Sequence, residues 1–340
     1  MQKKLSVMMP VYNMEKYLHT CFSALIKQKW DQQVEIIVID DGSTDGSRDI
    51  CEKYAAVYSY IKFIHKENGG VSSARNMALK YASGEYFYWV DPDDYIADEF
   101  WEKVEPILGK GYDLIFFDLV TFSDCYARKH HFADMSQNVD RDTLVRLFCD
   151  GVKMASHLHT KILKKSLWEG IDFPMNISMC EDYYVFTHLV SRANNPFYLH
   201  ESLYYYRQHA NSITHNLSSY DLQVVYNLVK ERYEHFLANG YDVDSIGIRY
   251  VEFYYLRNII LNQDLAEEHN AYKGLYKVML KNLRMNYGML LNSGYLNKKN
   301  KLVLYFILLD MKSSLRLIST LFERLKRIVK NVTALFTIGD

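Results

Sequence analysis

Val34-Glu35-Ile36-Ile37-Val38-Ile39-Asp40-Asp41-Gly42-Ser43 is a β-branched, nearly all-apolar run that stops on two acids and a turn. A strand buried on both faces has this composition, and such strands belong to parallel sheets covered by helices. The flanks follow the same rhythm. Upstream, residues 5–9 are a short apolar run ended by Pro10, and Tyr17, Leu18, Cys21, Leu25 and Ile26 recur at helical spacing. Downstream, a helical pattern to about Tyr54 precedes an apolar run at 61–64. Gly69 and Gly70 then break the chain before a helical stretch at 72–81, and runs at 85–90 and 114–120 read as further strands. Strand, helix, strand at this spacing predicts an α/β fold with a mostly parallel sheet flanked by helices.

Composition narrows the classes. The chain has 340 residues, 49% hydrophobic and 24% charged, which is globular and excludes collagen-like or wholly disordered polymers. Forty basic residues against 41 acidic ones leave a net charge of -1, which argues against a general nucleic-acid binder. Five scattered cysteines form no C-x-x-C pair and read as reduced core residues of a cytosolic protein. No run reaches the roughly 18 apolar residues that a membrane span needs, so the chain is expected not to cross a membrane. After about residue 220 the strand pattern fades. Helical patterns at 220–237, 246–261 and 272–291 predict a helical region at 216–295, after a first domain at 1–215.

In parallel sheets ligands bind at the carboxyl ends of the strands, so the polar residues just after each strand carry the chemistry. Asp91-Pro92-Asp93-Asp94 puts three carboxylates in four residues. Either a hard divalent cation such as Mn²⁺ or Mg²⁺ offsets their repulsion, or they form a solvated acidic turn that starts a helix. Asp40-Asp41-Gly42-Ser43 offers acceptors for a base or ribose, or a turn with an N-cap. Asn68-Gly69-Gly70 enters a helix that carries Arg75 one turn in, where it faces the acidic strand ends or a phosphate. The glycines match neither a Walker A sequence nor a GxGxxG fingerprint.

Together these segments resemble the family 2 glycosyltransferases of the GT-A fold, inverting enzymes that use nucleotide-sugar donors. The resemblance rests on Ser6-Val7-Met8-Met9-Pro10-Val11-Tyr12-Asn13, Val38-Ile39-Asp40-Asp41-Gly42-Ser43-Thr44-Asp45, Asn68-Gly69-Gly70 with Ala74-Arg75-Asn76, and Val90-Asp91-Pro92-Asp93-Asp94, across roughly residues 5–215. It implies that Asp40 reads the nucleobase, usually uracil, and that Pro10, Tyr12, Asn13, Asp41, Asn68, Gly70 and Arg75 line the donor site. It implies that Asp93 is the main metal contact, with Asp91 near the ribose and metal and Asp94 in support.

Two later segments complete the implied site. Met179-Cys180-Glu181-Asp182-Tyr183-Tyr184 is similar to the family's acidic motif at a helix start, which makes Asp182 the general base and Glu181 an orienting acid. Tyr204-Tyr205-Tyr206-Arg207-Gln208-His209-Ala210-Asn211-Ser212 is similar to an R-x-H-x-x-S loop that closes over the donor. There His209 would contact diphosphate or metal, supported by Arg207 and Ser212. Lys161 is a further candidate for acceptor or phosphate contact. His130 and His131, with no acidic or cysteine partner at ligand spacing, read as a surface pair.

The resemblance implies sugar transfer from a nucleotide-sugar, a UDP-sugar in the first instance, to a cell-surface glycan or lipid-linked acceptor, with Mn²⁺ or Mg²⁺ as cofactor. The rival is a non-catalytic subunit that binds a nucleotide-sugar or stabilises a partner enzyme. Residues 296–340 carry a balance of +6 against -7 over the rest. From Leu315 to Phe336 apolar residues recur on one helical face, with Arg316, Arg324, Lys326, Arg327 and Lys330 elsewhere. Such a basic amphipathic tail packs on the helical region, dimerises, or lies on the inner face of the cell membrane.

Overall fold

The computed structural model describes residues 3–30, 32–123, 125–150, 154, 156–177, 180–208, 219–243, 246–261, 273–294 and 296–311. They divide into two units. The first holds the described residues up to 208 together with 234–243, and the second holds the remainder.

The first unit is built on one sheet. Its strands are β1 (Leu5–Val11), β2 (Val34–Asp40), β3 (Ile61–His65), β4 (Tyr86–Trp89), β5 (Tyr95–Ile96), β6 (Leu114–Ser123), β7 (Tyr126–His130), β8 (Gln137–Asn138), β9 (Lys161–Lys164) and β10 (Pro196–Arg207). The spatial order is β3-β2-β1-β4-β9-β6-β10-β5, with β7 on β6 and β8 on β10. β3, β2, β1 and β4 run parallel, as do β6 and β10, while β9 lies antiparallel between the two groups. Helices α1 (Glu15–Lys27), α2 (Ser47–Val57), α3 (Val71–Tyr81), α4 (Phe100–Leu108), α5 (Arg141–Asp150) and α6 (Glu181–Arg192) flank this sheet. This is a GT-A fold, and the α/β expectation holds.

β1 and β2 are buried along their whole length, as their β-branched sequences require. α1 buries Leu18, Cys21, Phe22 and Leu25, one stripe at helical spacing. The order reverses at β1: the chain steps to β2 and β3 on one side, then returns to β4 on the other. A crevice opens at the carboxyl ends at such a switch point. The β1–β4 ladder ends at Met8 opposite Trp89, so Pro10, which has no N–H to donate, sits where β1 keeps only β2 as a partner.

Five elements of this unit have no counterpart among the sequence-predicted strands. β5 and β8 are two residues long, and β7 is exposed throughout, so neither length nor apolar pattern marks them. β9 has four residues. β10 is twelve residues long, but polar His200, Glu201 and Ser202 interrupt its apolar run, and the ladder to β6 shifts register there.

The second unit is helical. It contains α7 (Ser219–Ala238) up to residue 233, α8 (Ile246–Leu261), α9 (Lys273–Asn292) and α10 (Lys298–Leu308). Buried Glu252 of α8 accepts hydrogen bonds from Asn282 Nδ2 at 2.7 Å and Arg249 at 2.5 Å, tying α8 to α9. No helix of the described residues is long and apolar enough to cross a membrane. The amphipathic tail from 312 onward lies outside the described residues.

One buried acid holds the sheet's entry edge. Glu35 of β2 accepts from Ser6 Oγ at 2.7 Å, from the Ser83 N–H and hydroxyl at 2.7 Å each, and from Lys62 Nζ at 2.6 Å. Burial pushes its carboxyl up, but these four donors outweigh it and hold the group at about 2. A carboxyl lowered in the fold stabilises above its ordinary value, and that contribution disappears as pH falls through the folded value. Glu35→Gln is therefore expected to lower unfolding stability by about 3 kcal/mol at pH 7. The gap to wild type should close between pH 4.5 and about 2. Urea melts of both proteins at pH 7 and pH 3 check this, and a gap that does not change with pH would refute it.

Candidate active site

The crevice at the switch point gathers the strand-end residues. Gly42, just past β2, has φ +73°, and a Cβ there would stand 2.7 Å from the Asn68 backbone nitrogen. Only glycine lets the two loops approach this closely. Asp41 accepts from the Gly69 N–H at 3.0 Å and pairs with Lys66, while the Asp41 carbonyl accepts from Asn68 Nδ2 at 2.9 Å. Asp40 is fully buried, accepting from the Ser43 N–H at 3.2 Å and bonded to His65 Nδ1 at 2.7 Å. Both acids thus hold the loops that shape the crevice.

Asn13 has φ +52°, a left-handed conformation that asparagine tolerates better than most residues. Its N–H donates to Ser43 Oγ at 3.0 Å, and its Oδ1 accepts from the Thr44 N–H at 2.8 Å. Asn13 therefore clasps the loop after β2. Tyr12 beside it is 45% exposed, a flat ring open to a ligand. Gly70, φ +84°, caps α3, and a Cβ there would meet nothing within 4 Å, so the helix entrance is open.

α3 then aims Arg75 inward. Its guanidinium is buried, pairs with Glu181 and lies 3.4 Å from Asp91 Oδ1. It also sits over the rings of Trp89 (5.8 Å) and Phe173 (5.3 Å). Burial works against its charge, but Glu181 and Asp91 more than compensate and the group stays protonated. Of the two directions open to Arg75 in the sequence, the structure takes the acidic strand ends. One cation thus joins the acid after β4 to the first turn of α6.

Asp91 is held on its other side by His159 Nδ1 at 3.2 Å. Burial raises the Asp91 carboxyl, yet His159 and Arg75 outweigh it and bring it to about 2. His159 stacks on Tyr204 at 4.3 Å and on Tyr206 at 5.5 Å, and His157 stacks on His159 at 5.0 Å. The Tyr204 hydroxyl accepts from the Asp91 N–H at 3.1 Å and donates to Asp94 Oδ2 at 2.7 Å. Asp94 is buried, and burial with the charges of Asp93 and Asp91 pushes its carboxyl well up.

Arg207 ends β10, where the sequence reading has a loop. Its N–H donates to Asp94 Oδ1 at 2.7 Å and its Nε to the Asp93 carbonyl at 2.9 Å, with the guanidinium over Phe122 at 4.7 Å. It fastens the acidic turn to the sheet. His209 and Ser212 lie outside the described residues.

Asp182 stands in the first turn of α6 behind Cys180, a left-handed residue with φ 60°. Its side chain is 19% exposed, 3.4 Å from Ser156 Oγ and 3.8 Å from His157 Nδ1. Lys161 is buried: Nζ donates to the His157 carbonyl at 2.6 Å and lies over Phe186 at 4.7 Å. Burial, only partly opposed by Asp182, pushes its ammonium down to about 7. Its described contacts are thus interior ones, and the lysine supports the His157 turn from beneath.

Ligand atoms of Asp91, Asp94 and His159 lie within 4.8 Å of one another. His159 Nε2 is buried with no hydrogen-bond partner among the described residues. An oxygen-rich set with a repelled carboxyl and an unsatisfied imidazole nitrogen fits a divalent cation. His159, His157, Ser156 and Tyr204 have no role in the sequence reading. Each meets its partner across at least 25 residues, and local spacing carries no trace of that.

Residues 6–170 match the profile of glycosyl transferase family 2. This stretch is a glycosyl transferase family 2 domain. The chain is 30% identical over 214 residues to EpsH of Bacillus subtilis, covering 61% of this chain and 62% of that protein. It is 27% identical over 257 residues to the glycosyltransferase GlyA of Streptococcus pneumoniae, covering 71% and 36%. The matched stretch therefore spans less than two thirds of both relatives. The crystal structure of residues 1–349 of Staphylococcus aureus TarS in complex with UDP-GlcNAc superposes with a TM-score of 0.64 at 21% identity, over 94% of this chain and 92% of that one. That likeness establishes the fold. The family 2 domain match ends before Glu181, Asp182 and Arg207, so their geometry stands on the structure alone.

Removing Arg75 from the glycosyltransferase domain would leave Asp91 and Glu181 buried without their shared cation. Arg75→Met is expected to cost about 3–5 kcal/mol of unfolding free energy. A loss below about 1 kcal/mol, the scale of an exposed pair, would show that the bridge does not hold the site together.

Proposed function

We propose that the chain is an inverting glycosyltransferase. It moves one sugar from a nucleotide-sugar, a UDP-sugar in the first instance, to a hydroxyl of a cell-surface glycan or lipid-linked acceptor. The observation that carries this reading is the Asp91–Arg75–Glu181 bridge, which ties the acidic turn of the family domain to the helix that bears Asp182. The bridge thereby holds the acidic turn near the partly exposed Asp182 carboxylate. The TarS complex with UDP-GlcNAc, on the same fold, supports the choice of donor class.

In this reading the acceptor hydroxyl attacks the anomeric carbon from the face opposite the diphosphate. The new C–O bond forms as the bond to the diphosphate breaks, and the proton passes to the Asp182 carboxylate. His157 and Ser156 orient that carboxylate, and Glu181, occupied by Arg75, stays out of the proton transfer. Tyr12 and the loop after β2 receive the nucleoside, while Asp40, Asp41, Asn13 and Asn68 keep that loop in place. Asp91 and Asp93, with Asp94 and His159 grouped about Asp91, would hold Mn²⁺ or Mg²⁺, which when bound neutralises charge on the diphosphate. The basic tail beyond 312 would bring the enzyme to an anionic membrane surface, where a lipid-linked acceptor resides.

Two variants test the assignment. Asp182→Asn is expected to lower transfer by at least about 10²-fold, the scale of general-base catalysis, with donor binding by calorimetry retained. Near-normal turnover would remove Asp182 as the base. Asp93→Ala should weaken UDP-sugar binding in Mn²⁺ while leaving the weaker metal-free binding alone, and unchanged metal dependence would refute that role. A release assay across UDP-, GDP- and dTDP-sugars identifies the donor, and no turnover with any donor and acceptor would favour the non-catalytic reading.

A further inference from the structure

A second cluster of ligand-type side chains shares no residue with the crevice. Asp118 of β6, His131 just after β7 and His200 of β10 bring ligand atoms within 4.8 Å of one another. His131 Nδ1 is 2.8 Å from Asp118 Oδ2, and His200 Nδ1 is 3.3 Å from the same oxygen. The two imidazole rings are 5.0 Å apart. The acidic partner that His131 lacks in the local sequence is supplied across the β6–β7 hairpin.

Three features make this a built arrangement. The ladder between β10 and β6 is regular to Leu199 opposite Phe117 and resumes at Ser202 opposite Asp118, so His200 sits in the irregularity between. Such bulges re-aim a side chain, and here the His200 N–H is taken by Ser136 Oγ at 2.8 Å. Asp118 and His200 are held together by one buried group: the Tyr198 hydroxyl lies 2.7 and 2.9 Å from the two Asp118 oxygens and 2.9 Å from His200 Nδ1, and the Phe132 N–H donates to Asp118 Oδ1 at 3.1 Å. The third feature is access. Asp118 is 2% exposed, but His131 and His200 keep 44% and 34% of their side chains open, so an ion can enter and water can complete its shell.

We propose that Asp118, His131 and His200 form a metal site, distinct from that of Asp91, for a zinc-class divalent transition ion. Two imidazoles and one carboxylate suit such ions, whereas Mg²⁺ prefers oxygen ligands alone. Around zinc, ligand atoms about 2.0–2.1 Å from the metal stand roughly 3.3 Å apart. The two distances to Asp118 Oδ2 are already within about half an ångström of that spacing. Tyr198, bonded to both Asp118 and His200, orients the carboxylate and that imidazole toward each other. The bound ion would staple the loop between β7 and β8 to β6 and β10.

The test uses the full chain carrying Cys125→Ser, because Cys125 is exposed and thiols capture zinc. Protein loaded with zinc and dialysed against excess Mg²⁺ should retain about one equivalent by elemental analysis, through the stable N/O ligation described above. Asp91→Asn, which removes the acid shared by every ligand set of the crevice, should retain it too, and that separates this site from the crevice. His131→Gln, a change at an exposed position, and the His131→Gln/His200→Gln pair should lose it. Tyr198→Phe should weaken zinc binding about 10–100-fold. Zinc should raise the Tm of the parent protein but not of His131→Gln. Failure of the parent protein to retain zinc, or equal retention by the double variant, overturns the proposal.

Discussion

The buried guanidinium of Arg75 is the constraint on which the crevice depends. Asp91, Glu181 and Asp182 lie on two elements joined to the sheet at different places, and their like charges oppose assembly. A cation placed between them converts that opposition into attraction, and in a poorly solvated site both effects are larger than in water. Arginine suits the position because its planar head can stack on Trp89 and Phe173 while its edges face two carboxylates. The Gly69-Gly70 entrance sets where α3 begins, and so where Arg75 points.

The same logic explains why β10 returns to the crevice. Asp94 has both oxygens engaged, one by the Tyr204 hydroxyl and one by the Arg207 N–H, and both donors come from the end of β10. The strand thereby fixes the acidic turn from below, while the flat rings of Tyr204 and Tyr206 support His159 and His157 from the side. Desolvation leaves Asp94 with a raised carboxyl even so. A turn that tolerates this repulsion in the fold is one whose charge balance improves when a cation arrives.

The parallel half of the sheet was legible because its strands must be apolar on both faces, and the junction acids were legible because they interrupt that pattern. β2 and the turn at Asp40 illustrate both. β9 and β10 were not, since an antiparallel four-residue strand and a strand broken by His200, Glu201 and Ser202 carry no such signature. Among site residues, local motifs single out Arg75 and Glu181, but their pairing joins positions 106 residues apart. The resemblance points Asn13 at the donor, and the structure adds that its side chain and N–H clasp Thr44 and Ser43. His159 carries no local signal, because a histidine next to Thr160 and Lys161 has nothing in the sequence to distinguish it. Motifs carry residue types, whereas the roles come from partners that only the closed sheet brings near.

Burial of the acids also bears on how the crevice discriminates. Asp40 is fully buried with its carboxylate on Ser43 and His65, and Asp41 has its carboxylate on Lys66 and Gly69. A carboxylate has about four acceptor sites, so either acid retains capacity, but neither can swing out without breaking these bonds. In the proposed reading, a base entering beside Tyr12 would meet a wall set in advance by the fold. Discrimination built this way rests on preorganisation, and its cost was met when the loops after β2 and β3 were locked together at Gly42. A side chain at Gly42 would separate those loops and loosen the wall without touching any residue of the acidic turn.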